Sequence, residues 1–528
     1  MLLSRLSDLF MSNFLDDNLN QSVFFDINYL EVLGNNTFEY CLYHLLENDE
    51  IVSDFLARYK NKSVGRKAYP PALLLRVIFY AYYRGHTSSR VIESLCKTDL
   101  KFIALAGGRQ PHFTTIANFV SANCEAMGKL FHKVLLICDQ SGLIGKEHFA
   151  IDGCKIPTNA SKQWSGTHKE LRKKSDKLKQ AAEKIIDKHM SSDADSGSGK
   201  KLKDEQKQTI ETLLKNAKKI DDFLSDNQPR MGQGKRKQEV QSNITDNQSA
   251  KMTTSKGTIQ GMACVTAADE KHQIIVHAQA FGMGQEQATL IPMVEGIKNN
   301  FGDDIFKPSL VLTADTGFSS EATMQYLFDE NINAVVPDNQ FRKRNPVFAD
   351  SDLYKKHKAI RKKTRKDQSG RDEVLHSSTF TVSLENNSCI CPAGKEMLFQ
   401  GDDFEGARGI YSRFRGKLKD CRECLLQTKC MKKPIKDQGR QVSFLNEEQE
   451  KITCLDVMKQ KIDSPEGRRL YSRRMWVIEP VFGNITSNKG LNRISVRGEV
   501  KATAQWLMYC MIHNIEKLWK NSEIESWA

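Results

Sequence analysis

Two aspartates of this 528-residue chain stand in settings that can do chemistry. Asp152 closes the apolar run HFAID and is followed by Gly153, and Asp315 closes SLVLTAD shortly before Gly317. A carboxylate at the carboxyl end of a core strand lies at the rim where α/β sheets place their chemistry, so two such positions can converge on one metal site. Paired carboxylates suit phosphodiester chemistry, in which two Mg²⁺ ions about 3.5–4 Å apart activate the attacking oxygen and stabilise the leaving one. Mg²⁺ takes oxygen ligands and keeps several waters, so a few acidic side chains suffice once the scissile phosphate adds its own oxygens. Taken singly, an aspartate at a strand end is more often a turn or cap residue.

A second chemistry is carried by cysteine. CICPAG, with Cys389 and Cys391, precedes CRECLLQTKC, with Cys421, Cys424 and Cys430. Four thiolates satisfy tetrahedral Zn²⁺, and C-x-x-C places two of them on one turn. The favoured set is Cys391, Cys421, Cys424 and Cys430; reduced thiols without metal are the competing reading, because C-x-x-C-x5-C is looser than the usual paired knuckles. Such a zinc would staple its segment and leave catalysis to Mg²⁺. The remaining cysteines are scattered, which is no secreted disulfide framework.

Cations are dense in KKHKAIRKKTRK, which contains Lys362, Lys363 and Arg365, and in GQGKRK near Lys235. Each one that meets a phosphate releases counterions, giving strong binding with little sequence preference; a solvated loop is the alternative. Trp164 can stack on a base, although packing against a neighbouring helix is the more ordinary use of such a residue.

These groups need elements to hold them. Residues 1–145 read as an all-α domain: Pro70 and Pro71 open a helix in which Leu73, Leu74, Val77, Ile78 and Ala81 recur at helical spacing, and Gly85 stops it. Short helices follow, with Ser88 or Ser89 as a cap and a break at Gly107, Gly108 and Pro111, an order that suits a helix-turn-helix or an ordinary bundle. From Glu147 the texture changes to strands: HFAID, TIQGMACVTA, HQIIVHAQAFG, SLVLTAD and INAVVP, with helices expected over 286–300 and 320–331. Strand, helix, strand in that order implies parallel pairing. Residues 165–240 read as a lysine-rich helical hairpin inserted between strands, and residues 338–470 as a basic, cysteine-rich insertion, leaving 146–337 and 471–520 for an α/β core.

The formal net charge of +13 and a pI near 9.0 favour a polyanionic partner such as nucleic acid. The most apolar early stretch, from Ala72, is too short for a bilayer span and carries Arg76, so no membrane role is expected. The N-terminus lacks the continuous apolar core of a signal peptide, which points to the cytoplasm and the nucleoid.

Taken together, FAIDGCKIPTNAS, LTADTGFSS and YSRRMWVIEPVFGNI resemble the first, second and third acidic blocks of insertion-sequence DDE transposases, in the IS-eleven-eighty-two-like group. GRKAYPPALLLRVIFYAYYRGHTSSRVIESLCKTD resembles the helical domain that precedes the catalytic core in one subgroup. The resemblance implies an RNase H-like core, a mixed sheet flanked by helices, in which Asp152, Asp315 and Glu479 bind Mg²⁺ or Mn²⁺. It also implies an enzyme that cuts double-stranded DNA at the element's ends, transfers strands into target DNA and works as a homodimer on DNA. A nuclease of the same fold, or a DNA-binding relic, are the alternatives. Arg473 and Arg474 precede Glu479 on a helical block and are expected to face the DNA backbone, with Pro480 as a kink or boundary. Tyr471, Arg474 and Glu479 fit the family's Tyr, Arg, Glu, Lys signature loosely; its lysine position is Thr486 here, and Lys489 is the nearest substitute.

Overall fold

The structure is a computed structural model that describes residues 27–56, 59, 67–196, 204–232, 238–255, 257–347, 375–406, 409–431, 437–446 and 452–521. Lys362, Lys363, Arg365 and the GQGKRK cations lie outside the described residues.

Helix α1 (Pro71–Tyr83) begins at its proline pair, where a missing N–H costs nothing, and buries Leu73, Leu74, Val77, Ile78 and Ala81. The chain leaves it through Gly85 at φ 79°. Shorter helices follow at Ser89–Thr98, Leu100–Leu105 and Phe113–Ala122, then the longer α2 (Cys124–Gln140). This region is helical as expected, but it is not a separate body: its apolar faces and the sheet beyond it share one hydrophobic core.

The core sheet has six strands: β1 (His148–Pro157), β2 (Ala250–Thr254), β3 (Gly257–Asp269), β4 (Ile275–Phe281), β5 (Val311–Ala314) and β6 (Ala334–Val335). Their order is β2-β3-β1-β5-β6, with β4 also pairing β3. β1, β2 and β4 each pair with β3 antiparallel, whereas β5 joins β1, and β6 joins β5, in parallel. This mixed sheet, flanked by helices, is compatible with an RNase H-like core. One expectation is corrected: β1 does not end at Asp152 but continues to Pro157, because β3 is long enough to pair with it from Phe149 to Pro157.

The lysine-rich insertion is a helical hairpin, α3 (His168–Ser196) and α4 (Asp204–Asp226), joined through Leu171, Ala182, Ala217 and Ile220 and by a Ser175–Asp221 hydrogen bond of 2.6 Å. Trp164 sits at its base with the Lys174 ammonium 4.3 Å from its ring centroid, so it packs against the hairpin. Helices α5 (Leu290–Phe301) and α6 (Glu321–Asp329) fall in the stretches 286–300 and 320–331 expected to be helical, α5 starting after a 3-10 turn at Glu286–Ala288.

The second insertion holds more structure than its composition suggested. Strands β7 (Met397–Gly406), β8 (Gly409–Gly416) and β9 (Gln441–Leu445) form an antiparallel sheet over a small core of Phe380, Cys389, Met397, Phe414 and Val442. Its last part returns to the main body. In α7 (Cys454–Asp463), Ile462 packs with Val335 and Phe341, and α8 (Pro465–Gly483) starts six residues before the expected boundary at 471. Helix α9 (Glu499–Asn521) closes the chain; its Tyr509 stacks on Tyr82 of α1, with centroids 5.0 Å apart. Among the described residues, no helix is long and apolar enough to cross a membrane.

Candidate active site

Parallel pairing brings the two aspartates side by side. Ile151 of β1 is in register with Ala314 of β5, so Asp152 and Asp315 are each the next residue along adjacent strands. Asp152 is held by its neighbours: Oδ1 accepts the Gly153 amide at 2.8 Å and Oδ2 accepts Arg474 Nη1 at 2.7 Å. Asp315 opens a single 3-10 turn, Thr316–Phe318, and its Oδ1 accepts the Tyr471 hydroxyl at 2.9 Å. The second guanidinium nitrogen of Arg474 stands 3.7 Å from the same oxygen. One cation therefore bridges both carboxylates.

That cation comes from α8. Ser464 caps the helix by accepting the Gly467 amide, and Pro465 occupies the first turn. Tyr471 and Arg474 are one turn apart and so share a face, with the guanidinium 5.6 Å from the tyrosine ring centroid and the ring edge-on to Phe341. Arg474 is 7% exposed, and its Nε has no hydrogen-bond partner among the described residues. Pro480 lies within the helix and does not end it. It cannot donate to the Trp476 carbonyl one turn back; Gln273 Nε2 does so instead at 3.0 Å, which explains how the turn survives. The boundary comes after Gly483, in a π-type turn over Asn484–Asn488.

Burial pushes the Asp152 carboxyl above its ordinary range, and the Arg474 cation offsets this only in part. Tyr471 is pushed up by burial and by Asp315 beside it, so its hydroxyl stays a donor.

The other expected residues are distributed differently. Glu479 lies on the exposed side of α8 together with Met475 and Trp476, the latter 81% exposed, and makes no hydrogen bond or ion pair to either aspartate. Arg473 points toward the start of β1, where it forks onto Glu270, which also meets His148 Nδ1 at 3.2 Å. Arg474 faces the aspartates; its expected place against the DNA backbone does not fit a side chain this buried. Lys489 is also corrected: it is 2% exposed, paired with Glu516 and 5.2 Å from the Tyr83 ring centroid, so it cannot reach a phosphate from this position.

One acidic residue near the aspartates was not singled out from the sequence. Glu286 begins the 3-10 turn after β4, and its carboxyl is pushed up first by burial, against which Lys155 pulls, and then by Asp152 and Asp315. Its signal was available: it is a third carboxylate shortly after a core strand, in FGMGQEQ.

Cys391, Cys421, Cys424 and Cys430 line one cavity in the small β unit, together with Phe380 and Met397. Cys389 is buried in the unit's core, with its Sγ 3.7 Å from Met397 Sδ. As the side chains stand, no group of three or more His, Cys, Asp or Glu among the described residues is arranged to hold a metal.

Residues 390–519 match a family model described as a transposase DDE domain, and residues 28–122 match the transposase domain DUF772. The first match spans Cys391, Cys421, Cys424, Cys430 and Glu479, while Asp152 and Asp315 precede it. No curated protein and no solved structure matches the chain.

Proposed function

We propose that this chain is an insertion-sequence transposase that uses Asp152, Asp315 and Glu479 with divalent cations to cut DNA at the element's ends and join it to target DNA. The two family matches support a transposase acting on DNA. The observation that carries the mechanism is the juxtaposition of Asp152 and Asp315 on neighbouring parallel strands, bridged by one guanidinium. A site that draws a cation between two carboxylates has the oxygen donors that Mg²⁺ or Mn²⁺ requires. When bound, a metal pair supplies activation of the attacking oxygen and stabilisation of the leaving one.

The chain's own residues do the positioning. β1 and β5 fix the aspartates in register, and Tyr471 orients Asp315 by donating to it. Arg474 neutralises the pair and would have to withdraw for Asp152 and Asp315 to hold a cation. Glu479 is on the same helix, but about 140° around its axis from Arg474 by helical geometry, so bringing it to the aspartates requires α8 to turn. The mixed sheet is compatible with an RNase H-like core carrying two insertions, which is how we read it. A homodimer holding two double-stranded DNA ends, in the nucleoid, follows from this reading, and the charge of +13 suits such a partner.

In the small β unit, we read Cys391, Cys421, Cys424 and Cys430 as a structural Zn²⁺ site. The five buried side chains of its core are few for an independent fold, and a metal staple is the usual remedy. The thiols would have to turn toward one point of the cavity they line.

Asp315→Asn tests the main reading, since it removes a charged ligand at nearly constant volume. Cleavage and joining of DNA bearing the element's ends should fall by orders of magnitude at saturating Mg²⁺, while DNA binding persists. Normal cleavage by this variant would remove Asp315 from the mechanism, and cleavage without joining by the unaltered chain would point to a nuclease.

A further inference from the structure

We propose that Glu286 is a further carboxylate of the divalent-cation site opened by Asp152 and Asp315, an inference that rests on reading this aspartate pair as a metal site. Its backbone is fixed: the Glu286 carbonyl accepts both the amide and the hydroxyl of Thr289, at 3.0 and 2.8 Å. Its side chain reaches the segments that follow both aspartates. A methyl group built on Gly317, two residues after Asp315, would fall 2.3 Å from Glu286 Oε2, and one on Gly153, directly after Asp152, 3.9 Å from Oε1.

Neither glycine has a positive φ, so Gly317 is required for space and not for backbone conformation. The absent side chain at 317 leaves a notch that the Glu286 carboxylate fills. The carboxylate is half-buried and makes no hydrogen bond or ion pair among the described residues. Its electrostatic neighbours are Asp152 and Asp315 on one side of the balance and Lys155 on the other.

Glu286 thus lies against the residues that follow both aspartates; a guanidinium bridges those two carboxylates, the third is unpaired among the described residues, and the three side chains would have to turn to share one cation. Hard divalent cations take such an oxygen set, because their charge offsets the mutual repulsion of the anions. The Arg474 guanidinium marks where positive charge is stable at this rim, and Glu286 approaches the residues beside the aspartates from the β4–α5 connection. Glu479, on the exposed side of α8, does not.

The test is Mn²⁺ binding by the full chain, followed by electron paramagnetic resonance of the free ion, with Asp315→Asn, Glu286→Gln and Gly317→Ala compared with the unaltered protein. Gly317→Ala keeps every charge but displaces the Glu286 carboxylate. All three variants should lose about tenfold or more in Mn²⁺ affinity. Melting temperatures should hold or rise for Glu286→Gln, since a repelled, unpaired carboxylate is removed; a marked fall would mean a packing role and overturn the proposal. If Asp315→Asn loses Mn²⁺ while Glu286→Gln binds it as tightly as the unaltered chain, the Glu286 role is overturned and the aspartate site stands. If the unaltered chain binds no Mn²⁺, or Asp315→Asn changes nothing, the aspartate reading falls and Glu286 with it.

Discussion

Replacing Lys489 with Met separates a structural lysine from one that touches DNA. Burial alone would raise the Glu516 carboxyl, but hydrogen bonds from Lys489, Lys520 and Asn484 outweigh it and hold the group at about 2, against an ordinary 4.5. Such a displacement corresponds to about 3 kcal/mol in favour of the folded anion. The partner tells the opposite story: burial pushes the Lys489 ammonium down, and Glu516 only partly restores it, so the pair is worth less than the glutamate alone implies. The glutamate direction is the firmer guide, because three donors converge on it. Since Lys520 and Asn484 remain in Lys489→Met, the expected loss is about 2 kcal/mol at pH 7, somewhat below the usual cost of breaking a buried pair. A carboxyl depressed on folding adds stability that is complete above its unfolded value near 4.5 and is lost as pH falls through about 2. The gap between variant and unaltered chain should therefore be full at pH 7, narrow below about pH 4.5 and close near pH 2. Urea unfolding followed by tryptophan fluorescence, with Trp506 buried in α9, measures it. An unchanged midpoint at pH 7, accompanied by weaker DNA binding with a shallower salt slope, would refute this account and return Lys489 to the phosphate backbone.

Other outcomes are expected. Gln273→Ala should leave the Trp476 carbonyl without its side-chain donor opposite Pro480 and lower stability by about 1 kcal/mol, measurable by urea unfolding; no change would mean that water replaces it. Metal analysis of protein purified without chelator should give about one Zn²⁺ per chain, lost in a Cys421→Ser, Cys424→Ser double variant, whereas a metal-free chain would establish reduced thiols. Neutralising Lys362, Lys363 and Arg365 should weaken DNA binding and reduce its salt slope by up to about three, with cleavage at saturating DNA unaffected; an unchanged slope would make this run a bystander.

Some of this was legible in the sequence because it depends on near neighbours. The proline pair and apolar spacing of α1, the helical hairpin of α3 and α4, and the strand-end setting of Asp315 are local patterns, and local sterics and periodicity dictate them; Asp152 lies inside a longer strand because β3 pairs beyond it. The β unit within 375–446 was hidden by its composition: its core is only five side chains drawn from distant positions, too sparse to leave a period.

The partners of each charged group were decided by tertiary structure. Arg473 and Arg474 are adjacent in the chain, yet a helix turns successive residues by about 100°, so one meets Glu270 and the other Asp152. Lys489 looked like a free cation until α9 placed Glu516 beside it, 27 residues later. Glu286 gained its place only when β4 returned the chain beside the two aspartates, where Gly317 leaves room for its carboxylate. The sequence by itself determined which residues could be acids, bases or ligands and which stretches fold into helix or strand. Which of them face one another depends on strand register and helix rotation, set by packing among residues more than a hundred positions apart.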